Sequence, residues 1–233
     1  MSQKWVVFDF CETLVNIQTG DAFIDFAIKG HNSSFRKFWK LTIDILEKLR
    51  LFSLSQKLAP KYNLEKRMRL YLLKDISEKD LEIAAKEFVE QVLIKFENRA
   101  LIQKLNKHIL EKDRVCISSG GFSIYLKYWA DKHNIEWVDA CEIQFRNGKC
   151  TGLLLGKDCM FEEKTNRLDL KKSSDENLSN LERVVYSDSI TDLPLFKWSH
   201  IPYVISYENP RNWVKKYSLN EIIIGRNNGG LEI

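Results

Sequence analysis

The first residue that could do chemistry is an aspartate close to the start of the chain. Residues 5–10, WVVFDF, form a short apolar run rich in valine and aromatic side chains. Such a run predicts a buried strand, with Asp9 at its carboxyl end. A carboxylate in that position could ligate a cation or attack an electrophile. Taken alone, Asp9 equally suits a helix cap or a turn, where aspartate is common.

Two later segments carry groups that could hold an anion. Ser119 and Gly120 follow the strand-like run RVCIS (114–118). A hydroxyl and glycine amides at a strand-to-helix turn can cradle an anion, although an ordinary helix N-cap has the same composition. Lys164 lies near the start of a predicted helix, where a lysine is usually solvated.

A pair of acids forms the last candidate segment. Asp188 ends the apolar run RVVYSD (183–188), and Asp192 lies four residues further on. Because hard cations prefer carboxylate oxygens, two acids at this spacing could face one metal ion.

The elements that must position these residues alternate along the chain. Strand-like runs at 5–10, 114–118, 183–188, 203–206 and 221–225 are separated by helical stretches, which predicts an open α/β fold with a parallel sheet. A helical block interrupts the pattern from about 20 to 112, and Ser77 and Asp80 have the spacing of a capping box there. Asn147-Gly148 predicts a tight hairpin. In open α/β sheets ligands bind at the carboxyl ends of strands, where the four candidate segments would meet.

Composition excludes several classes of protein. The 233 residues are 44% hydrophobic with ten glycines and four prolines, which excludes a disordered or collagen-like chain. The net charge of +4 is spread evenly, so we expect no nucleic-acid partner. No apolar run spans a bilayer and no signal peptide is evident, so we expect no membrane partner and a cytoplasmic location. Five cysteines without a C-x-x-C pair fit reduced thiols, and no histidine has metal-ligand spacing.

Taken in order, FDFCETLV, ISSGG, EEKTNRL and YSDSITDLPL resemble the four motifs of the haloacid dehalogenase (HAD) superfamily. The position of the helical block resembles its phosphoserine phosphatase-like branch (subfamily I), whose cap lies between the first two motifs. The resemblance implies a HAD-like Rossmannoid core over residues 1–16 and 106–233 and a helical cap domain over 17–105.

The resemblance also implies a role for each candidate residue. Asp9 would be the nucleophile that forms an aspartyl-phosphate intermediate. Mg²⁺ would be held by Asp9, Asp188 and the backbone carbonyl of Cys11, with Asp192 supporting the metal site. The phosphoryl oxygens would be bound by three groups, namely the hydroxyl of Ser119, the amide of Gly120 and the ammonium of Lys164.

Cys11 departs from the family pattern, which has a second aspartate at this position as general acid and base. Loss of such assistance typically costs roughly 10²–10⁴-fold in rate. We hypothesise that the carboxylate of Glu12 replaces it in part, while its side chain could instead point to solvent or to the cap. A substrate with a good leaving group, or a phosphotransferase that needs slow attack by water, would also suit Cys11.

Two positions bear on the substrate. Gln18 aligns with the glutamate that receives the ammonium group of phosphoserine, and an amide is a weaker partner for a cation. Arg69 aligns with the cap arginine that binds the substrate carboxylate, although it could equally be a surface residue. The resemblance therefore implies a phosphatase acting on a small anionic phosphorylated metabolite, with phosphoserine disfavoured. The alternatives are a phosphotransferase and a non-catalytic protein that binds a phosphometabolite.

Overall fold

A seven-stranded sheet forms the centre of the computed structural model, which describes residues 3–31, 33–59 and 62–225. The strand order is β4-β3-β2-β1-β5-β6-β7. The strands are β1 (Lys4–Phe8), β2 (Arg114–Phe122), β3 (Trp137–Arg146), β4 (Lys149–Leu155), β5 (Glu182–Ser187), β6 (Ile201–Tyr207) and β7 (Asn220–Ile224). In sheet order, β3, β2, β1, β5, β6 and β7 run parallel to one another. The edge strand β4 pairs antiparallel with β3. The expected α/β fold with a parallel sheet is confirmed.

Helices occupy the connections between the strands. Six of those described lie between β1 and β2: α1 (Thr19–Ala27), α2 (Ser34–Lys48), α3 (Leu51–Leu58), α4 (Leu64–Leu70), α5 (Glu78–Gln91) and α6 (Arg99–Leu110). The others are α7 (Ser123–Lys132), α8 (Glu162–Ser174), α9 (Glu176–Ser179), α10 (Leu193–Trp198) and α11 (Asn212–Lys216). None of the described helices is long and apolar enough to cross a membrane.

The central strand shows how the sheet is buried on both faces. Side chains alternate along β1, so Trp5 and Val7 point to one face and Val6 and Phe8 to the other. All four are fully buried, and each pair belongs to a different apolar cluster. A continuous apolar run rather than an alternating one is therefore what this parallel strand requires.

Two local predictions are confirmed by the backbone. The hydroxyl of Ser77 accepts a hydrogen bond from the amide of Asp80 at 3.0 Å, and α5 begins at the next residue, Glu78. Asn147 and Gly148 connect β3 and β4, and both have positive φ angles, of 51° and 70°. Those angles match the right-handed twist of the flanking strands, which is why Asn-Gly forms such turns.

The second strand is longer than its apolar run suggests. It continues to Phe122, with a shift in its register against β3 after Ser119. Ser119 and Gly120 therefore lie on the irregular end of a strand rather than in the predicted turn before a helix. The irregularity allows the chain to leave the sheet and enter α7 without a connecting loop.

The helical segment between β1 and β2 is anchored to the loop that follows β1. The amide of Asn16 donates to the carbonyl of Phe96 at 2.8 Å, and the amide of Asn98 donates to the carbonyl of Leu14 at 2.9 Å. Buried residues of this segment and of one sheet face form one continuous apolar cluster. The division into a core domain and a cap domain over 17–105 stays a prediction.

Candidate active site

Two aspartates meet at the carboxyl edge of the sheet because their strands are neighbours. Asp9 follows β1 and Asp188 follows β5, and these strands pair in parallel. The Asp9 amide donates to the carbonyl of Tyr186 at 2.9 Å, which extends the ladder by one bond. The hydroxyl of Thr13 lies 3.2 Å from Asp9 Oδ2 and 3.4 Å from Asp188 Oδ1, and it accepts from the Asp188 amide at 3.1 Å. The predicted proximity of Asp9 and Asp188 is thus present.

A buried lysine joins this pair to a third carboxylate. Lys164, in the first turn of α8, is 2% exposed, and its ammonium donates to Asp9 Oδ1 and Asp192 Oδ2, each at 2.8 Å. Ser187 also donates to Asp192 Oδ2, at 2.6 Å. Burial by itself lowers the pKa of Lys164, but the charges of Asp192 and Asp9 outweigh it and hold that pKa above its usual value. The ammonium is therefore charged.

The carboxylates carry more negative charge than their neighbours neutralise. Burial raises the pKa of Asp9 to about 6, opposed by Lys164 and assisted by the negative charge of Asp192. Burial also raises the pKa of Asp188 to about 8, with further increases from Asp9 and Glu12. Groups with such pKa values favour a proton or a cation, because either one relieves the repulsion between them.

The donor set fits a divalent cation. Asp192 Oδ1 is buried and has no hydrogen-bond partner among the described residues. A buried carboxylate oxygen without a donor is costly unless something positive meets it. Together with Asp9 and Asp188 it supplies the hard oxygen ligands that Mg²⁺ prefers.

Cys11 lies on the wall of the site with its thiol in a hydrogen-bonded chain. Its Sγ is 3.0 Å from the hydroxyl of Thr19, which is 2.6 Å from the hydroxyl of Tyr125. Burial raises the pKa of the Cys11 thiol to about 11, and the charge of Asp9 adds to the effect. At neutral pH the thiol is therefore protonated, so it holds a proton that it could donate but is not available as a base.

Glu12 and Gln18 form a second polar pair on the same wall. Gln18 Nε2 donates to Glu12 Oε2 at 2.6 Å. Glu12 has a φ of 53°, a conformation that costs a residue with a side chain on the order of 1 kcal/mol. The hydroxyl of Tyr207 donates to the Glu12 carbonyl at 2.6 Å, which helps to hold this backbone. Glu12 therefore lines the cavity while its carboxylate is bonded to Gln18, in the segment predicted as the cap, which is one of the alternative orientations expected for this side chain.

A cavity of about 200 Å³ opens over these groups. Eight predicted residues line it, namely Asp9, Cys11, Glu12, Gln18, Gly120, Lys164, Asp188 and Asp192. The remaining wall comes partly from the helical segment, with Gly20, Asp21, Asn63, Glu65 and Lys66, and partly from the core, with Gly121, Met160, Ser189 and Thr191. The site therefore lies between the helical segment and the sheet edge.

Ser119 and Gly120 differ in how they meet the cavity. Ser119 is fully buried, its hydroxyl accepts from the Gly121 amide at 3.0 Å, and it does not line the cavity. Gly120 does line it, and a Cβ built there would lie 2.4 Å from Met160 Sδ. A side chain at position 120 would therefore displace Met160 from the wall.

Arg69 does not line the cavity. Its guanidinium lies 3.1 Å from Glu65, 3.2 Å from Glu47 and 3.6 Å from Asp21. Burial lowers the pKa of Arg69, but Asp21 and Glu65 outweigh this and raise it. For Arg69 to meet a substrate, these ion pairs would have to open.

The cation of the helical segment that does reach the wall is Lys66, which the motif reasoning missed. Its ammonium donates to the carbonyl of Gly120 at 2.7 Å and to Asp158 at 2.5 Å, and it lies 3.1 Å from Cys141 Sγ. Lys66 therefore joins α4 to the end of β2 and to the loop before α8. Its position three residues before Arg69, on the same helix, is the signal that could have found it.

A second missed residue is Arg211, between β6 and α11. Its Nη1 donates to the carbonyl of Asp188, and its Nη2 lies 3.7 Å from Asp188 Oδ2. This cation opposes the rise in the pKa of Asp188. No motif marked it, because only the course of the chain after β6 brings it to the β5 end.

One histidine does lie in an acidic cluster away from the site. His108 is close to Glu111 and Asp113. Its two ring nitrogens are already engaged, with Asp113 at 2.8 Å and the hydroxyl of Tyr186 at 3.1 Å. The hydrogen bonds account for this cluster without a metal ion.

Known proteins share this architecture. The model of the haloacid dehalogenase-like hydrolase family matches residues 6–197. A solved protein of unknown function from Bordetella pertussis Tohama I is 19% identical, with a TM-score of 0.76 over 95% of this chain and 99% of that chain. A substrate-bound phosphoserine phosphatase is 20% identical, with a TM-score of 0.65 over 95% and 93%. A cytosolic 5'-nucleotidase IIIB bound to cytidine is 14% identical, with a TM-score of 0.60 over 97% and 81%.

Proposed function

Since this chain belongs to the haloacid dehalogenase-like hydrolase family, we propose that it hydrolyses a phosphomonoester of a small anionic metabolite through a covalent aspartyl-phosphate on Asp9, with Mg²⁺ as cofactor. The family match confirms the resemblance to the haloacid dehalogenase superfamily. Phosphoserine phosphatases of similar fold support the proposed branch and the proposed phosphatase activity. The observation that carries the proposal is Asp9 itself, buried at the strand end and bonded to Lys164 at 2.8 Å.

In the first half of the proposed reaction, an oxygen of Asp9 attacks phosphorus and the bond to the leaving oxygen breaks. Lys164 offsets the negative charge of the incoming phosphoryl group, which the surrounding carboxylates would otherwise repel. The Gly120 amide would bind a phosphoryl oxygen at the cavity wall. The Ser119 hydroxyl keeps its own hydrogen for donation while it accepts from the Gly121 amide, but it would bind another phosphoryl oxygen only if it reached the cavity, which it does not line.

A cation would be held by Asp9, Asp188 and the carbonyl of Cys11, with Asp192 beside them. When bound, Mg²⁺ neutralises charge on the phosphoryl oxygens and on the carboxylates around them. The raised pKa values of Asp9 and Asp188 support this assignment, since a bound cation would stabilise both carboxylates in their ionised forms.

The protonated thiol at position 11 makes the two halves of the reaction unequal. A thiol with a pKa of about 11 holds a proton that an alkoxide leaving group could take. The second half needs a base to activate water against the aspartyl-phosphate, and this thiol is not one. Glu12 is the carboxylate placed to supply part of that assistance. The covalent intermediate should therefore persist, which also favours a phosphotransferase as the second candidate function.

The substrate class follows from the cavity wall. About 200 Å³ enclosed between the sheet edge and helices suits a small molecule, and we propose that residues 17–105 act as a cap that excludes water. Gln18 donates its Nε2 to Glu12, so it would offer an ammonium group only its neutral amide oxygen, which is a weaker partner than a carboxylate. This supports the expectation that phosphoserine is a poor substrate. The structural neighbours include a substrate-bound phosphoserine phosphatase and a nucleotidase bound to cytidine, consistent with a small phosphorylated metabolite.

The test is phosphate release from a panel of phosphorylated metabolites with Mg²⁺, using wild type, Asp9→Asn and Cys11→Asp. Asp9→Asn should lower turnover by at least about 10³-fold, since nucleophile replacements have effects of this size or larger. Cys11→Asp should raise it by roughly 10²–10⁴-fold.

Each variant has an outcome that would contradict the proposal. Phosphate release retained by Asp9→Asn would rule out the covalent mechanism on Asp9. If wild type releases no phosphate but Cys11→Asp does, the result would favour the binding protein or an acceptor-dependent phosphotransferase. If neither releases phosphate, the proposed phosphatase function would be overturned.

A further inference from the structure

The second helix of the chain is apolar on two opposite faces. Its inner face buries Ile43, which belongs to the continuous core cluster. Ile45 is two residues later, about 200° around the helix, and is 47% exposed. The outward stripe consists of Phe35, Phe38, Leu41, Ile45 and Leu49, all exposed and spaced by three or four residues. Burial in the core accounts for the inner face and leaves the outer one unexplained.

The next helix, α3, also exposes large apolar side chains. On α3, Phe52 is buried, while Leu51, Leu54 and Leu58 are exposed, the last of them by 79%. Helices α2 and α3 contact each other, so the exposed side chains lie on one helical hairpin. We call these eight residues the apolar patch. Single exposed leucines are normal on a protein surface, but eight large side chains on two adjoining helices mark an interaction surface.

The charges on the same hairpin are predominantly positive. Lys37, Lys48, Arg50 and Lys57 are exposed and form no ion pair with a described residue. The two acids of α2, Asp44 and Glu47, offset only part of this charge, because two carboxylates stand against four cations. The apolar patch therefore carries unneutralised cations beside it.

The exposed apolar side chains and the flanking cations together indicate what binds to the apolar patch. A second copy docked symmetrically through this face would bring its own lysines against the same lysines, since such an interface pairs each surface with itself. An anionic lipid surface instead accepts both features, because exposed large apolar side chains enter the headgroup boundary while flanking lysines meet lipid phosphates.

We propose that the α2–α3 hairpin docks the protein peripherally on an anionic lipid bilayer, through the apolar patch and its flanking lysines. The inference goes beyond the proposed phosphatase activity and does not depend on it. It also revises the expectation of no membrane partner, which rested on the lack of a spanning segment and not on the surface of folded helices.

The experiment is cosedimentation of the full chain with vesicles of phosphatidylcholine alone and with about one third phosphatidylglycerol. Wild type should bind the anionic vesicles, and more weakly as salt rises. The double variant Phe38→Glu with Leu54→Glu should bind at least about tenfold more weakly. The triple variant K37E/K48E/K57E should bind at least about 100-fold more weakly, at about 1 kcal/mol per lysine near the surface.

The matched control variants carry the same types of substitution at exposed residues outside α2 and α3. Leu110→Glu with Leu170→Glu replaces two leucines that are at least as exposed, on α6 and α8, and K79E/K95E/K127E reverses three other exposed lysines. Both should keep wild-type vesicle binding to within about twofold. Because all substituted side chains are exposed, the thermal unfolding of every variant should match wild type.

Three outcomes would overturn the proposal. The first is equal binding to neutral and anionic vesicles, or none to either. The second is an equal loss in the control variants. The third is a wild-type dimer in size-exclusion chromatography that the Phe38→Glu and Leu54→Glu variant converts to monomer, without vesicle binding, which would assign the patch to a second copy.

Discussion

Two buried lysines meet the cavity from opposite sides, and they are held in different ways. Lys164, from the sheet side, donates to Asp9 and Asp192, so both of its partners belong to the proposed catalytic centre. Lys66, from the helical side, donates to Asp158 and to the carbonyl of Gly120, so its partners are structural groups. The chemistry is thus concentrated on the α/β core, while the helical side contributes a wall whose own charges are already paired.

The largest effect should come from removing the lysine on the sheet side. Lys164→Met leaves Asp9 and Asp192 without their shared cation, so phosphate release should fall by at least about 10²–10³-fold, as when one charge-stabilising donor is lost. Because unpaired buried carboxylates also destabilise the fold, Lys164→Met with Asp192→Asn is the folded control and should be equally inactive. Turnover within a few-fold of wild type in the double variant would contradict the role of Lys164.

The corresponding change on the helical side should affect binding rather than chemistry. Lys66→Met should raise the KM for an anionic substrate by about tenfold with little change in kcat, since a mostly buried cation at the cavity wall would attract the substrate and the transition state equally. Arg69→Met should change KM by less than about threefold, because three carboxylates already hold that side chain. A larger rise in KM in Arg69→Met than in Lys66→Met would mean that the Arg69 ion pairs open and that Arg69 binds the substrate, as the motif alignment predicts.

A smaller effect is expected at the position beside Cys11. If Glu12 assists the attack of water, Glu12→Gln should lower steady-state turnover by about tenfold and leave the first, phosphorylating step unchanged. A rapid-quench measurement separates the two steps through the size of the initial burst. Gln18→Ala is the matched control, since it removes the hydrogen-bond partner of Glu12 but keeps the carboxylate. An unchanged second step in Glu12→Gln would exclude the compensation.

The smallest effect is on stability. The folded-state pKa values of Asp9 and Asp188 are raised from 3.8 to about 6 and about 8, so the folded chain holds protons that the unfolded chain releases. Without divalent cations, the free energy of unfolding should therefore fall as pH rises from about 4 to about 8. A loss of 1 kcal/mol corresponds to roughly 2–4 °C in Tm for a chain of this size. Asp188→Asn should weaken this pH dependence of the free energy of unfolding. An unchanged pH dependence in that variant would refute the raised pKa of Asp188 as its cause.

Sequence reasoning succeeded where local pattern and topology coincide. The runs before Asp9 and Asp188 predict strands, parallel strands end at a common edge, and so the two acids had to meet. Lys164 was placed near them by the resemblance to the four family motifs, since the local pattern alone predicts a solvated lysine. The same reasoning failed for Ser119, which was expected at the site. The strand is irregular after Ser119, and its hydroxyl accepts from the Gly121 amide without lining the cavity.

The helical side was less predictable, because helix faces are chosen by packing. Lys66 and Arg69 lie on the same short helix, and the sequence has no feature that ranks them. Only the tertiary contacts show Lys66 at the cavity wall and Arg69 among Glu65, Glu47 and Asp21. Likewise, only the structure shows that α2 buries Ile43 and leaves a second apolar face exposed.

The sequence by itself therefore determined the sheet, the position of Asp9 and Asp188 at its edge, and the departure from the family pattern at Cys11. These depend on strand patterning and on residues adjacent in the chain. Tertiary structure decided the state of the Cys11 thiol, the burial of Asp192 Oδ1 without a hydrogen-bond partner among the described residues, and the approach of Arg211 to Asp188. Those properties depend on burial and on charges brought together from distant segments, and neither is encoded in a local pattern.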